Sequence, residues 1–377
     1  MKPILVIEMK LFSKENPMAS TKTKNFGFTI NNRIDLYSRR KYIFLLVIIF
    51  FSSNCYSQLI RGTVFDKNTD EVIPFAAIYF SGTTMGTTSN ENGYFELKLP
   101  EDLSNPLIIS SVGYYSATIT NFESSENLTI QLEPKTYSLK DVEVTADKSR
   151  NIRKRYFPVF RLEFLGKKLS PKSCRIMNED DILLQFDRNT KILRAFSRRP
   201  IQIQNDQLGY NISYFLDHFE FNTITRSMVL IGNYKFTPIS VLDSVQQEEI
   251  KNNRANAYLG SRMHFFRTLW DDSYKASGFK VLDTKGNNLS FNKMVVEKMS
   301  AEGRILQKYL VWKGPLVVYY GGLRRKSMII PKKDFVSFEC DGHFDPLGVE
   351  WDGYIGNKRI ADLLPYEYIA SSGTLKK

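Results

Sequence analysis

Three histidines, three cysteines and two acidic clusters are the residues of this 377-residue chain that invite a search for chemistry. A catalytic zinc takes three protein ligands and keeps one open position, and its usual signs are His-x-x-Glu or His-Glu-x-x-His. His218, His264 and His343 are followed three residues on by Phe221, Arg267 and Pro346, so none opens such a motif. His264 lies in an aromatic stretch and reads as a packed or capping residue. No Gly-x-Ser-x-Gly turn presents a serine nucleophile, and Gly260-Ser261 reads as a helix break and cap. Cys174 and Cys340 lack a local signature for a thiol nucleophile. The clusters Glu179-Asp180-Asp181 and Asp341-Gly342-His343-Phe344-Asp345, with Asp352, lack calcium-loop spacing and read as turn residues. A glycosidase pair stays open, because its test is a carboxylate separation in space. No phosphate-binding or dinucleotide loop occurs. The sequence therefore names no catalytic residue, no cofactor-binding residue, no metal ligand and no cofactor.

The elements that would position a site begin with an export signal. Tyr42 to Phe51 is an unbroken apolar run behind Arg39-Arg40-Lys41, followed by small polar residues up to Gln58. That is the pattern of a secretory signal peptide, and the run is too short to span a bilayer comfortably. Cleavage after Ser57 leaves Gln58 first; lipidation of Cys55 is the rival, with a poor lipobox. Residues 1–57 hold 9 basic and 3 acidic residues, so half of the formal +12 sits in that segment. The remainder carries no nucleic-acid footprint. In an oxidising compartment Cys174 and Cys340 are free to pair, which needs a spacing the sequence does not supply.

From Leu59 the chain alternates short apolar runs with turn residues. Gly62 to Phe65, Ala76 to Phe80, Tyr94 to Leu99, Leu107 to Ser111, Tyr115 to Thr120, Leu128 to Leu132 and Val142 to Val144 read as strands. Asn90-Glu91-Asn92-Gly93 is the strongest turn, because Asn and Gly tolerate positive φ. About seven such strands predict a small β-sandwich over residues 58–146. Asp147 to Tyr156 is strongly basic, and residues 147–158 read as a basic linker. Residues 159–377 read as an α+β domain, mostly antiparallel sheet with one helical excursion. In that excursion Asp243 or Ser244 is a cap, Ser261 starts a second helix, and Gly278 stops it. Leu259, Met263, Phe266 and Trp270 lie on one helical stripe and should face the sheet, with Arg262, Arg267 and Asp271 elsewhere.

One set of residues carries a resemblance. Gly62, Val64, Asp66, Ala77, Gly82, Thr83, Gly86, Thr87, Gly93, Phe95, Gly113, Tyr114, Leu139, Val142 and Val144 fall as in the carboxypeptidase regulatory-like domain, a prealbumin-type sandwich. Asn92 departs from it, standing where Asp is commoner. The resemblance implies a fold and a binding or assembly module, with no activity. Such a domain often precedes the plug and barrel of outer-membrane receptors, but too few residues follow Ala146 for a 22-stranded barrel. The later pieces Ala257-Tyr258-Leu259-Gly260-Ser261 and Arg359-Ile360-Ala361-Asp362-Leu363-Leu364-Pro365 resemble exported Gram-negative proteins with an uncharacterised domain behind such a sandwich. The expectation is a non-catalytic exported envelope protein of the periplasm or outer membrane. Its partners would be an envelope protein or glycan, with peripheral membrane association, and not nucleic acid. The alternative is a hydrolase of envelope glycan or peptide using carboxylates of the C-terminal domain.

Overall fold

In the computed structural model the described residues are 59–99, 105–120, 127–135, 146–166, 173–240, 243–301 and 305–370. The expected signal segment and the strand at Val142 lie outside them.

Seven strands open the fold: β1 (Leu59–Asp66), β2 (Ala77–Phe80), β3 (Gly86–Thr88), β4 (Tyr94–Lys98), β5 (Leu107–Ser110), β6 (Ala117–Ile119) and β7 (Leu128–Leu132). They form a three-stranded sheet, β4-β1-β7, and a four-stranded sheet, β3-β2-β5-β6. Period-two patterning decides what lies between them: Val64, Ile78, Phe80, Phe95, Leu107, Ile109, Ile130 and Leu132 share one buried core. The N-terminal part is therefore the β-sandwich that its strand pattern predicts. The turn before β4 is tied by Asn90, whose Oδ1 accepts from the amides of Asn92 and Tyr94, with Gly93 at φ +70°.

Next comes helix α1 (Ala146–Leu165). Residues 147–158, expected as a basic linker, are helical. Charge alone suggested a tether, yet Phe160 and Phe164 lie four apart and are fully buried against the following sheet. Arg153 is committed as well, donating to the carbonyls of Ile182 and Glu179 at 2.9 Å each. The helix continues through Pro158, which removes one backbone donor but is outweighed by this packing.

Strands β8 (Cys174–Ile176), β9 (Ile182–Phe186), β10 (Ile192–Ser197), β11 (Ile201–Asn205), β12 (Tyr210–Asn222) and β13 (Met228–Pro238) make a six-stranded antiparallel sheet. Strand β12 carries a bulge at Asp217, since Leu216 pairs with Gly232 and His218 with Ile231. Helices α2 (Ser244–Tyr258) and α3 (Arg262–Trp270) follow, capped by Asp243 and Ser261 through the amides of Gln246 and His264. Helix α3 ends at Trp270 rather than at Gly278, whose φ of +90° instead leads into the next strand.

The rest is β14 (Phe279–Leu282), α4 (Phe291–Met294), β15 (Val295–Met299), β16 (Ile305–Leu310), β17 (Leu316–Tyr320), β18 (Lys326–Pro331), β19 (Val336–Phe338), β20 (Val349–Asp352) and α5 (Gly353–Gly356). These strands form sheets β14-β17-β18-β20 and β15-β16-β19, all antiparallel. Helix α3 is buried between two cores. Met263 joins that of the six-stranded sheet, while Phe265, Phe266 and Leu269 join that of the last sheets. No helix among the described residues is long and apolar enough to cross a membrane.

Candidate functional site

The sandwich docks on the six-stranded sheet through the alternate face of β2. Ile78 and Phe80 point into the sandwich, so Tyr79 points out and stacks on Phe215 with ring centroids 5.2 Å apart. Beyond β2 the turn lies along the free edge of β13. Gly82 N donates to Tyr234 O at 2.8 Å, and Phe236 N donates to Thr83 O at 2.9 Å. An edge that would otherwise expose backbone groups is thereby covered. The C-terminal segment closes over the same turn. Tyr366 N donates to Gly82 O, and the Thr84 amide and hydroxyl both donate to Glu367 Oε1 at 2.6 Å.

Two concavities flank this joint. The smaller, a groove of about 210 Å³, lies between Phe75, Ser110–Ser116 and Lys135 on one wall and Ser197–Gln202, Ser213–Asp217 and Lys235 on the other. The β12 bulge places Asp217 in it. Asp217 keeps an exposed surface, yet desolvation by the groove walls shifts it upward, an effect opposed by nearby Lys135. Burial shifts Lys235 downward, and its ammonium lies 6.0 Å from the Tyr79 ring centroid. Ser116 and Ser110 share a hydrogen bond across 3.0 Å, as do Ser213 and Gln202.

At the mouth of the groove stands Phe75, 66% exposed and with φ +56°. A bulky residue in the left-handed region is strained, and such strain persists only where neighbours dictate it. Here buried Ser89 does so. Its hydroxyl accepts from Ala76 N at 2.9 Å and donates to Ile73 O at 3.1 Å, while its carbonyl accepts from Phe75 N. The backbone that carries the exposed ring is thus tied on both sides by Ser89. Sequence reading missed this residue; a phenylalanine directly after Pro74, just before β2, was the available sign.

The larger concavity, about 530 Å³, lies beneath β6 and is walled by the β12–β13 hairpin, the start of α3 and the turns around Phe344 and Leu363. Arg262, Lys358, His343, Asp345 and Asp362 bring charge or polarity to it, among mostly apolar neighbours.

The expected chemistry-bearing residues are placed apart. His218 is exposed, 3.8 Å from Glu220. His264 is buried, accepts from Gly260 N through Nδ1 at 3.0 Å, and packs against Tyr258, Phe279 and Tyr320. Burial first, then Lys358 and Arg267, lowers its pKa to about 4. His343 is lowered to about 4 by burial and packs edge-on to Tyr366. Among the described residues no three His, Cys, Asp or Glu side chains are grouped to hold a metal ion. Cys174 and Cys340 are unpaired, one buried and one exposed, so the disulfide open at the sequence level is not formed.

Glu179-Asp180-Asp181 forms a turn, with Asp181 bound by Asn178 and Arg199. Asp352 caps α5, and Asp345 pairs with Lys333 at 2.6 Å. Asp341 accepts from His343 N through Oδ1, but its Oδ2 is buried without a partner among the described residues. Burial raises its pKa. Glu339, absent from the acidic clusters singled out above, is pushed up to about 7 by burial and by Asp341 beside it. Neither carboxylate lines the groove or the larger cavity.

Residues 60–144 match the CarboxypepD_reg-like domain. No curated protein matches the chain. Among solved structures, a proposed carbohydrate-binding protein from Bacteroides uniformis is similar over 50% of this chain and 76% of its own, at 10% identity and a TM-score of 0.18. A proposed membrane-associated protein of unknown function from Bacteroides fragilis is similar over 78% of this chain and 92% of its own, at 9% identity and a TM-score of 0.17. The domain's Asp66 ties the next turn through the amides of Asn68 and Thr69 and takes the Tyr114 hydroxyl at 2.8 Å, which anchors the Gly-Tyr pair to β1. Residues 60–144 are a carboxypeptidase regulatory-like domain, followed by a mostly antiparallel α+β region.

Proposed function

We propose that this is an exported, non-catalytic protein of the cell envelope that binds a glycan in the groove between its sandwich and its six-stranded sheet. The observation that carries the reading is Phe75, an exposed ring at the groove mouth on backbone tied by Ser89. An exposed aromatic on tied backbone contributes apolar contact at little entropic cost, and the serines, Gln202 and charged groups behind it suit sugar hydroxyls.

The protein purified from an osmotic-shock fraction should begin at Gln58 and be retarded in gels containing its glycan, screened among soluble glucans, mannans and uronate polymers. Phe75→Ala should weaken that interaction at least tenfold, about 1.4 kcal/mol, without lowering Tm. Retardation indifferent to Phe75→Ala, or absent throughout the panel, would refute the site. Retention of residues before Tyr42, or acyl chains on Cys55, would refute the processing.

Hydrolysis by the C-terminal domain is the second reading, favoured by Glu339 and Asp341, two neighbouring carboxylates both shifted upward. A general acid needs such a shift, but it must also face substrate. Release of reducing ends or peptide fragments that is lost in Glu339→Gln would restore this reading over the first.

A further inference from the structure

Arg262 and Arg267 leave α3 five residues apart and have opposite fates. Arg267 donates to three carbonyls, those of Asp341, Tyr366 and Tyr368, each at 2.7 Å. Arg262 carries the same five donors, yet its Nη2 meets only Lys358 O at 3.4 Å, and its face lies 5.6 Å from the Trp351 ring centroid. Its Nε is buried and has no acceptor among the described residues, and no carboxylate there pairs with it. A guanidinium left partly desolvated in this way is costly unless something completes its hydrogen bonds. Burial, with Arg359 nearby, lowers its pKa to about 10, which still leaves it charged at neutral pH.

This residue lines the larger cavity, whose 530 Å³ is in the range of small-ligand sites. The other charges there are committed. Lys358 donates to Ala257 O at 2.6 Å and Asn256 O at 3.3 Å, Asp345 pairs with Lys333, and Asp362 takes Arg359 N at 3.2 Å. The walls are formed largely by Leu230, Met263, Phe344, Ile360, Leu363 and Leu364. A sugar would find few partners along such a surface, whereas an apolar body would. We propose that this cavity binds a small amphiphile, with an anionic oxygen head, carboxylate or phosphate, on Arg262 and an apolar body along the aliphatic wall.

The proposal is independent of the glycan groove and is tested by calorimetry on the chain from Gln58 onward, below micelle-forming concentrations. Dodecanoate and dodecyl phosphate should bind at least tenfold more tightly than dodecanol, and acetate and inorganic phosphate should show no heat of binding. If only one of the two charged chains binds, it identifies the head. Arg262→Met should reduce both to the level of dodecanol while Tm stays or rises, because a half-buried, poorly paired cation has been replaced by an apolar chain. Arg262→Lys should retain part of the affinity, and Phe75→Ala all of it. Dodecanol binding as well as dodecanoate would overturn the proposal, as would free acetate or phosphate binding as well as either. So would charged amphiphiles that bind Arg262→Met unchanged, or that do not bind the unmodified chain at all.

Discussion

Glu339 is held where its charged form is disfavoured, half-buried and beside Asp341, with Gln307 donating to it at 2.5 Å. Its pKa rises from 4.5 to about 7 on folding, so the folded chain keeps a proton that the unfolded chain releases across that interval. Stability from this group is therefore present below pH 4.5 and lost as pH rises through 7. Buried His264 and half-buried His343 work in the opposite sense. Their pKa values fall to about 4, so the unfolded chain takes up protons first and stability is lost as pH drops from 6.5 towards 4. Glu339→Gln, neutral at every pH, should match the parent near pH 4.5 and exceed it above pH 7, by at most about 3 kcal/mol. Urea titrations at pH 4.5 and 8 measure this. A difference of the same size at both pH values would show that the carboxylate is not strained by burial.

Helix α3 is the element on which the C-terminal region turns. Of the stripe expected from spacing, Met263, Phe266 and Trp270 lie on this helix, whereas Leu259 ends the helix before it, and Met263 and Phe266 enter different cores. The breadth of the buried surface was not legible. His264, Phe265, Thr268 and Leu269 are buried too, because cores press on the helix from two sides and a one-sided pattern describes only one of them. Likewise Arg262 and Arg267 turn inward, where a periodicity argument sends charge outward. Phe266 meets Phe338, Phe344 and Trp351, so Phe266→Ala leaves a cavity among rings and should cost roughly 3–5 kcal/mol. Thermal unfolding of the full chain should show that loss, with the isolated 58–146 fragment as the reference that lacks the site. A Tm within error of the parent would mean the helix is less tightly enclosed than these contacts imply.

Across the whole molecule, the positions of most sandwich strands followed from local pattern, but the joint between regions did not. Asp66, Gly93 and Tyr114 act within about fifty residues of one another, so the sandwich was readable. Gly82, Tyr234 and Tyr366 meet across most of the chain, and nothing in local spacing announces them. Gly82 has φ +73°, and a Cβ there would lie 2.5 Å and 2.7 Å from carbons of the Tyr366 ring. Alanine at that backbone angle costs about 1 kcal/mol wherever the turn exists. The ring clash exists only where residue 366 is present, and overpacking of this kind adds roughly 1–3 kcal/mol. Fragment 58–146 should fold alone, without metal, as an all-β domain, since its core is its own. Gly82→Ala should then destabilise the full chain by more than it destabilises the fragment. It should also speed hydrogen exchange at the amides of Phe236 and Tyr366, which bond to this turn. Equal losses in the two proteins would mean that the turn is not wedged against Tyr366. A fragment that is helical or unstructured by circular dichroism would mean that the sandwich depends on the sheet it covers.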